Sequence, residues 1–316
     1  MKGDADQSCG GSATHPDVSV VVVNWNTGEL LERCIASVEA ERGTVRLETI
    51  VVDNGSTDGS QEIVRQTFPE VRLIANAGNL GYSAANNQGI QASTGRYVFL
   101  LNSDTAVQAG ALRALVDYGD TNHDAGIIGP QLLNSDGTLQ PSGGRFPTLL
   151  TTMADLVGLG RLTGRPRYGT RRDYSMPAVV DEVSGAAMLV RGEVIKQVGG
   201  LDESFAWGYE DVDLCRRAHR AGWQIHYVPS AKVRHEWGAS RRLAPAATVV
   251  MAVEGRRHYF LKHHGRMQSG LVMAATLVSH MLRSAVFAFA AVGDRKLLAR
   301  AAIEWEIVRR LVGKKA

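Results

Sequence analysis

Three cysteines (Cys9, Cys34, Cys215) in 316 residues are too few for a disulfide framework. None stands in a CxxC or Cys/His zinc spacing, so a reducing, cytosolic setting is expected. No secretory signal opens the chain, because Met1 to Asp17 is polar and Gly/Ser-rich without an apolar core. That stretch reads as a disordered tail. With only 9 prolines, 34 glycines and 44% hydrophobic residues, collagen-like, low-complexity and wholly disordered classes are excluded. There is no GxxxxGK[ST] phosphate loop, no GxSxG elbow and no HExxH pair. The first apolar run is followed by Asn24-Trp-Asn-Thr-Gly28 rather than GxGxxG, so a dinucleotide fingerprint is missing as well. Internal repeats are absent.

The net charge of +3 hides an uneven distribution. Between Arg256 and Ala316 there are 12 basic and 3 acidic side chains, a net of +9. The preceding 255 residues carry 23 basic and 29 acidic side chains, a net of −6, which argues against nucleic-acid binding. The basic C-terminal region requires a separate explanation.

Val18-Ser-Val-Val-Val-Val23 suits a central strand covered on both faces. Leu30, Leu31, Cys34, Ile35 and Val38 follow at helical spacing. Thr49 to Val52, Arg72 to Ala75 and Tyr97 to Leu101 read as further strands, with Asp58 and Gln61 as a capping-box pattern and a helix from Ser83 to Ala92. Strands alternating with helices predict an α/β fold with a mostly parallel sheet. In such sheets the ligand crevice lies at the carboxyl ends of the strands. Here those ends read Asn24-Trp-Asn26, Asp53-Asn54, Asn76 to Gly81 and Asn102-Ser-Asp104. Any one of them is explained by a turn; four on one rim point to a polar ligand.

Residues 134 to 178, broken by Pro and Gly and carrying Arg161, Arg165, Arg167, Arg171 and Arg172, read as a long loop or lid over that rim. The arginines suit an anionic substrate or simply a solvated basic loop. A strand from Val183 to Arg191, a helix from Glu210 to Ala221, and short strands Ile225 to Val228 and Ala231 to Val233 follow. Gly270 to Gly293 is largely apolar but holds His280 and Arg283, and its flanks are basic. An amphipathic helix in an anionic membrane surface fits better than a span, with a helical hairpin packed on the domain as the other reading.

Three groups carry candidate chemistry. Asn102 and Asp104, separated by one residue at a strand end, point to the same side and offer hard oxygen ligands suited to Mg²⁺ or Mn²⁺; a turn is the plain alternative. Glu210, Asp211 and Asp213 open a helix, where acids are favoured by the dipole, yet three in four residues exceed what a cap requires. One of them can act as a general base. His235 lies beyond a strand that returns toward the rim. Trp25, Trp207 and Trp237 flank these groups as sugar-stacking or core residues.

Five ordered blocks now carry a resemblance: Val20-Val-Val-Val-Asn-Trp-Asn26, Val51-Val-Asp-Asn-Gly-Ser-Thr-Asp58, Asn79-Leu-Gly-Tyr-Ser-Ala-Ala-Asn86, Leu100-Leu-Asn-Ser-Asp104, and Gly200 to Phe205 through Glu210-Asp211. From Val18 to Arg242 the chain resembles the inverting glycosyltransferases of family two, with a GT-A fold, most of all bacterial rhamnosyltransferases of cell-wall and O-antigen assembly. The resemblance implies a Rossmann-like, mostly parallel sheet with helices on both faces over residues 18–245, and a basic helical, membrane-associating extension over 246–316. It implies that Asn24, Asp53 and Asn54 lie at the nucleotide base and ribose and that Asn79 and Gly81 border the nucleotide. Asn102, often Asp in the family, would lie near the diphosphate. Asp104 and His235 would bind the divalent ion, Asp211 would be the base, and Glu210 a supporting acid or acceptor contact. The QxxRW motif of processive members is missing, so addition of a single sugar or a few is expected.

The implied activity is metal-dependent transfer of L-rhamnose from dTDP-L-rhamnose to a polyprenyl-diphosphate-linked saccharide at the inner membrane face. A UDP-sugar donor (galactofuranose, GlcNAc or another hexose) and a non-catalytic nucleotide-sugar or membrane-binding module are the alternatives. The oligomeric state is left open, a homodimer included.

Overall fold

The computed structural model describes residues 15–159, 174–205, 207–236, 245–291 and 294–313. Strand β1 (Val18–Asn24) is buried at every position, as its valines require. Parallel partners β2 (Leu47–Asp53) and β4 (Tyr97–Asn102) flank it, and β3 (Arg72–Ala75) pairs with β2. The crossovers are α1 (Gly28–Glu39), α2 (Ser60–Thr67) and α3 (Tyr82–Ala92). Alternation along β1 splits the core. Val20 and Val22 pack with Leu31 and Ile35 on one face, while Val21 joins Leu100 and Val190 on the other.

After β4 come β5 (Thr105–Val107), α4 (Ala111–Thr121) and β6 (Ala125–Leu133), none of which the sequence reading had set out. They are followed by β7 (Leu139–Gln140), β8 (Gly143–Gly144), α5 (Leu149–Leu156), β9 (Ala178–Val180), β10 (Glu182–Val183), β11 (Ala187–Arg191), α6 (Gly192–Val198), α7 (Glu210–Arg220) and β12 (Gln224–His235). The main sheet runs β3-β2-β1-β4-β11-β6-β12-β5, with β7 on β6 and β9 on β12; β8 and β10 form a separate antiparallel pair. β11 enters antiparallel between β4 and β6, so the sheet is mixed on this side.

Several expectations change in detail. The two short strands expected between Ile225 and Val233 are one strand, β12, irregular between Val228 and Lys232. The expected capping box is not formed: Gly59 precedes α2, Asp58 accepts from Gly28 N and from Ser60, and Gln61 Nε2 donates to Asp53 instead. Asp17, expected in the tail, is held by Arg46 and Arg96 at 2.8 Å each, which keeps its carboxyl well below the usual range. The tail expectation for residues 1–14 lies outside the described residues. The expected loop over 134–178 contains β7, β8 and α5; Arg161, Arg165, Arg167, Arg171 and Arg172 lie outside the described residues.

The C-terminal region is helical. In α8 (Pro245–Ala290) a left-handed Gly265, φ +85°, divides the helix, and α9 (Arg295–Gly313) folds back on it. The first half of α8 delivers Tyr259 and Phe260 to the core shared with α7. Ala246–Ala290 is the one segment among the described residues that is long and apolar enough to cross a membrane. Two of its polar residues are tied to neighbouring helices, however. His280 pairs with Glu304 of α9, and Arg283 reaches the Leu156 carbonyl of α5.

Candidate active site

Strand register fixes which side chains share the rim. Asn24 is paired with Asp53 across β1 and β2, and Val23 with Asn102 across β1 and β4, so these strand ends are level. Antiparallel pairing of His235 with Thr105 brings the end of β12 beside Asp104. The Asn102 amide donates to the Ala186 carbonyl at 2.9 Å, setting the start of β11 against the end of β4.

Asn24 and Asp53 turn inward. Asn24 Nδ2 donates to Asp53 Oδ1 at 2.8 Å and to Ser56 Oγ at 3.0 Å, while Asn24 Oδ1 accepts from Thr27 Oγ1. Asp53 Oδ2 accepts from Ser56 N and Gln61 Nε2. Burial alone would raise the Asp53 carboxyl, but these bonds from Ser56, Asn24 and Gln61 hold it below its usual range. With no exposed surface, Asp53 braces the loop rather than presenting an open carboxylate. Buried Asn54 acts similarly, donating to Asn79 Oδ1 and the Gly81 carbonyl and accepting from Leu80 N. Asn79 Oδ1 also accepts from Gly81 N. The Asn24–Asp53 and Asn54–Asn79–Gly81 sets therefore form two braces on one edge of the crevice, with Trp25 exposed beside them.

At the middle of the rim, Asp104 Oδ1 lies 3.3 Å from His235 Nε2, and both residues are largely buried. On the far nitrogen of the ring, Nδ1–H donates to Gln140 Oε1 at 2.7 Å, because a carbonyl oxygen can only accept. Gln140 is oriented in turn by its Nε2, which donates to Asn134 Oδ1 at 3.0 Å. In the neutral ring this leaves the lone pair on Nε2, on the side of the carboxylate. Two ligands on adjacent corners of an octahedral ion with bonds of about 2.1 Å stand roughly 3 Å apart, close to the separation found. A hard-oxygen and imidazole pair with its tautomer set from behind fits a divalent cation that takes its remaining ligands from water and substrate. Among the described residues there is no cluster of three or more protein ligands.

Asn102, the other half of the triplet, is engaged differently. Its Oδ1 accepts from the Tyr82 hydroxyl at 2.8 Å, and Tyr82 also lies 3.2 Å from the Gly185 carbonyl. Gly185 N donates to Asp211 Oδ2 at 2.9 Å. A β-carbon on Gly185 would stand 3.0 Å from that of Asp211, so the approach of β11 to α7 depends on glycine. Burial, reinforced by the negative charges of Glu210, Asp211 and Asp104, pushes the Tyr82 phenol far above its ordinary value. The Tyr82 hydroxyl thus bridges Asn102 and Gly185, whose N–H holds Asp211, which places the start of α7 and the end of β4 at the same crevice. Asp213, two residues on, faces away: its carboxylate is fully buried against Arg217, Lys262 and His263.

The turn before Glu210 is strained and braced from outside. Tyr209 holds φ +75°, a conformation costly for a residue with a side chain. A β-carbon on Gly255 of α8 would meet the Gly208 carbonyl at 2.2 Å, so the α8 backbone lies directly on this turn. Trp207 is partly exposed there, whereas Trp237 lies outside the described residues. Sequence reasoning missed Tyr82, Gly185 and Gln140. Tyr82 sat unremarked inside a quoted block, while Gln140, ninety-five positions from His235, left no local signal.

Residues 15–256 match the profile of "Glycosyltransferase like family 2". An N-acetylglucosaminyl-diphospho-decaprenol L-rhamnosyltransferase of Mycobacterium tuberculosis is 36% identical over 245 residues, covering 72% of this chain and 78% of its own. The low-salt glycan biosynthesis hexosyltransferase Agl10 of Haloferax volcanii is 29% identical over 66% of this chain and 64% of its own. Among solved structures, the mannosyltransferase PcManGT from Pyrobaculum calidifontis, in complex with GDP-Man and Mn²⁺, superposes with a TM-score of 0.55 at 17% identity over 96% of this chain and 89% of its own. GalNAc-T7 with UDP, GalNAc and Mn²⁺ gives 0.55 at 16% identity, over 94% of this chain and 56% of its own. The structural likeness assigns the fold as GT-A, and the sequence match carries the membership: the chain belongs to glycosyltransferase family 2.

Proposed function

We propose that this glycosyltransferase moves L-rhamnose from dTDP-L-rhamnose to a saccharide linked to a polyprenyl diphosphate. One observation carries the reading: the Tyr82 hydroxyl donates to Asn102, two residues before Asp104, and lies 3.2 Å from the carbonyl of Gly185, whose N–H donates to Asp211. The 36% identical decaprenol-linked rhamnosyltransferase supports the choice of donor and acceptor.

In this reading Asp211 takes the proton of the acceptor hydroxyl as its oxygen attacks the anomeric carbon. The new glycosidic bond forms while the bond to the nucleotide diphosphate breaks on the opposite face, so one displacement inverts the configuration. Asp104 and His235 would hold a divalent cation, Mg²⁺ or Mn²⁺, which when bound supplies countercharge for the departing diphosphate. Asn102, its carbonyl engaged by Tyr82, turns its amide N–H groups toward the diphosphate as donors. Glu210, buried beside Asp211, supports the base or contacts the acceptor. The braces at Asn24–Asp53 and Asn54–Asn79–Gly81 shape the edge for the nucleoside. The basic C-terminal region draws the enzyme to the inner membrane face, where a lipid-linked acceptor resides.

Turnover over a panel of nucleotide sugars, with a GlcNAc-diphospho-polyprenol acceptor, tests the reading. Transfer from dTDP-L-rhamnose well above every UDP-sugar is expected. Preference for a UDP-hexose would replace the donor while keeping the enzyme class; nucleotide-sugar binding without turnover of any donor would leave a binding module.

A further inference from the structure

Beyond Gly265, α8 presents two unlike faces. Val272, Thr276, Ser279 and His280 are buried against the rest of the molecule. Leu271, Val278, Leu282, Val286 and Phe289, at spacings of seven and three to four, are 47–88% exposed and form one stripe. At 1.5 Å per residue that stripe is about 27 Å long. Ser279 Oγ donates to the Leu156 carbonyl at 2.8 Å, and Arg283 reaches the same atom, so the last turn of α5 is fastened along the edge of the stripe. α5 adds apolar surface of its own, with Leu150 76% and Val157 66% exposed. Large apolar side chains at this density on two adjoining elements mark an interaction surface.

Charge selects the occupant. Arg266 stands at one end of the stripe, Arg295 and Lys296 follow its other end, and Arg300 lies alongside on α9 next to Ala301, which accepts from Ser284, all exposed, in a region whose net charge is +9. A second copy would bring two such surfaces together, whereas an anionic bilayer complements them.

We propose that α5 and the outer stripe of α8 form a single bilayer-binding face, so that lipid grips the wall of the crevice as well as the C-terminal helices. The inference rests on the membrane-acceptor reading above and specifies how the enzyme meets lipid. α5 belongs to the segment that begins with Gln140 on His235. That segment is pinned to α7 where Phe146 lies under the Arg216 guanidinium, 4.7 Å from ring centre to charge. Seating α5 on a bilayer therefore restrains the chain between the Asp104–His235 pair and the helix that carries Asp211.

Co-sedimentation with vesicles of phosphatidylcholine containing about one third phosphatidylglycerol tests this. Two variants are compared with the unaltered chain: Leu282→Asp with Phe289→Asp on α8, and Leu150→Asp with Val157→Asp on α5. Each pair is expected to weaken vesicle binding at least about ten-fold, since each removes two side chains from apolar contact. Hydrolysis of the free donor is expected to stay unchanged in both. Normal binding by the α5 pair with loss in the α8 pair would overturn the shared face and leave the membrane reading standing. No binding by the unaltered chain would overturn both. A dimer in light scattering that the α8 pair dissolves would assign the stripe to a second copy and overturn the proposal. An environment-sensitive dye on Leu150→Cys supplies a readout free of charge substitution: a blue shift with vesicles is expected, and an unmoved spectrum counts against the face.

Discussion

Gln140 is the residue whose role is most sharply set by geometry alone. It accepts from His235 Nδ1 and is itself aligned by Asn134, so the imidazole presents Nε2 toward Asp104. Gln140→Leu is expected to lower Mn²⁺ affinity by about 10- to 100-fold in calorimetry, the usual cost of removing a group that orients a metal-bound histidine. Gln140→Glu, which still accepts, should retain most of the affinity, and equal affinity in all three proteins would remove the assignment. Gly185 gives a complementary test. A β-carbon added there would meet Asp211 Cβ at 3.0 Å and Oδ2 at 3.3 Å, so Gly185→Ala requires the Asp211 side chain to give by a few tenths of an ångström. Turnover should fall with donor affinity nearly intact, by less than the roughly hundredfold that a misplacement of about 1 Å in a reacting group costs. The roles of these residues were hard to read in advance for a common reason: they act through partners far away in the chain. The sequence marks Asp104, Asp211 and His235 as polar groups at strand and helix ends, each with a plain structural alternative, and only the resemblance gives them roles. Asp53 was legible as a rim residue, but whether its carboxylate faces outward or inward is decided by Ser56 and Gln61, which no periodicity reveals.

At the scale of elements, the parallel half of the sheet was readable because β1, β2 and β4 are apolar runs buried on both faces. Beyond β4 the chain turns back on itself: β5, β7, β8, β9 and β10 are two or three residues long, too short for any repeat to show. The join between α7 and α8 is electrostatic as well as apolar. Burial by itself would raise the Asp213 carboxyl, but His263, Lys262 and Arg217 hold it at about 2. The group is more acidic folded than unfolded, so its contribution is complete above about pH 4 and is lost as pH falls toward 2. A shift of that size corresponds to about 2 kcal/mol. Asp213→Asn is therefore expected to melt earlier than the unaltered protein at pH 7 and at the same temperature near pH 2. An equal gap at both pH values would show that the ion pairs contribute nothing. Acids two apart in one helix turn thus serve separate ends, Asp211 toward the crevice and Asp213 toward the C-terminal helices.

For the whole molecule, the charge asymmetry of the sequence becomes an arrangement in space. The acidic portion builds the sheet and its crevice, and the basic region folds into α8 and α9. The two sequence readings of that region, membrane surface helix and packed hairpin, meet in one structure: His280 is buried against α9 and Arg283 reaches α5, while an apolar stripe faces out. α8 also bears on the turn before Glu210 through Gly255 and Gly208, so the part suited to lipid touches the part suited to chemistry. The central claim, that Asp211 acts as the base opposite a donor held at Asp104 and His235, is tested most directly by Asp211→Asn. Rhamnosyl transfer is expected to fall at least about a hundredfold, the range of a lost general base, while Mn²⁺-dependent binding of dTDP-L-rhamnose measured by calorimetry stays within error of the unaltered enzyme. Undiminished transfer by Asp211→Asn would contradict the account.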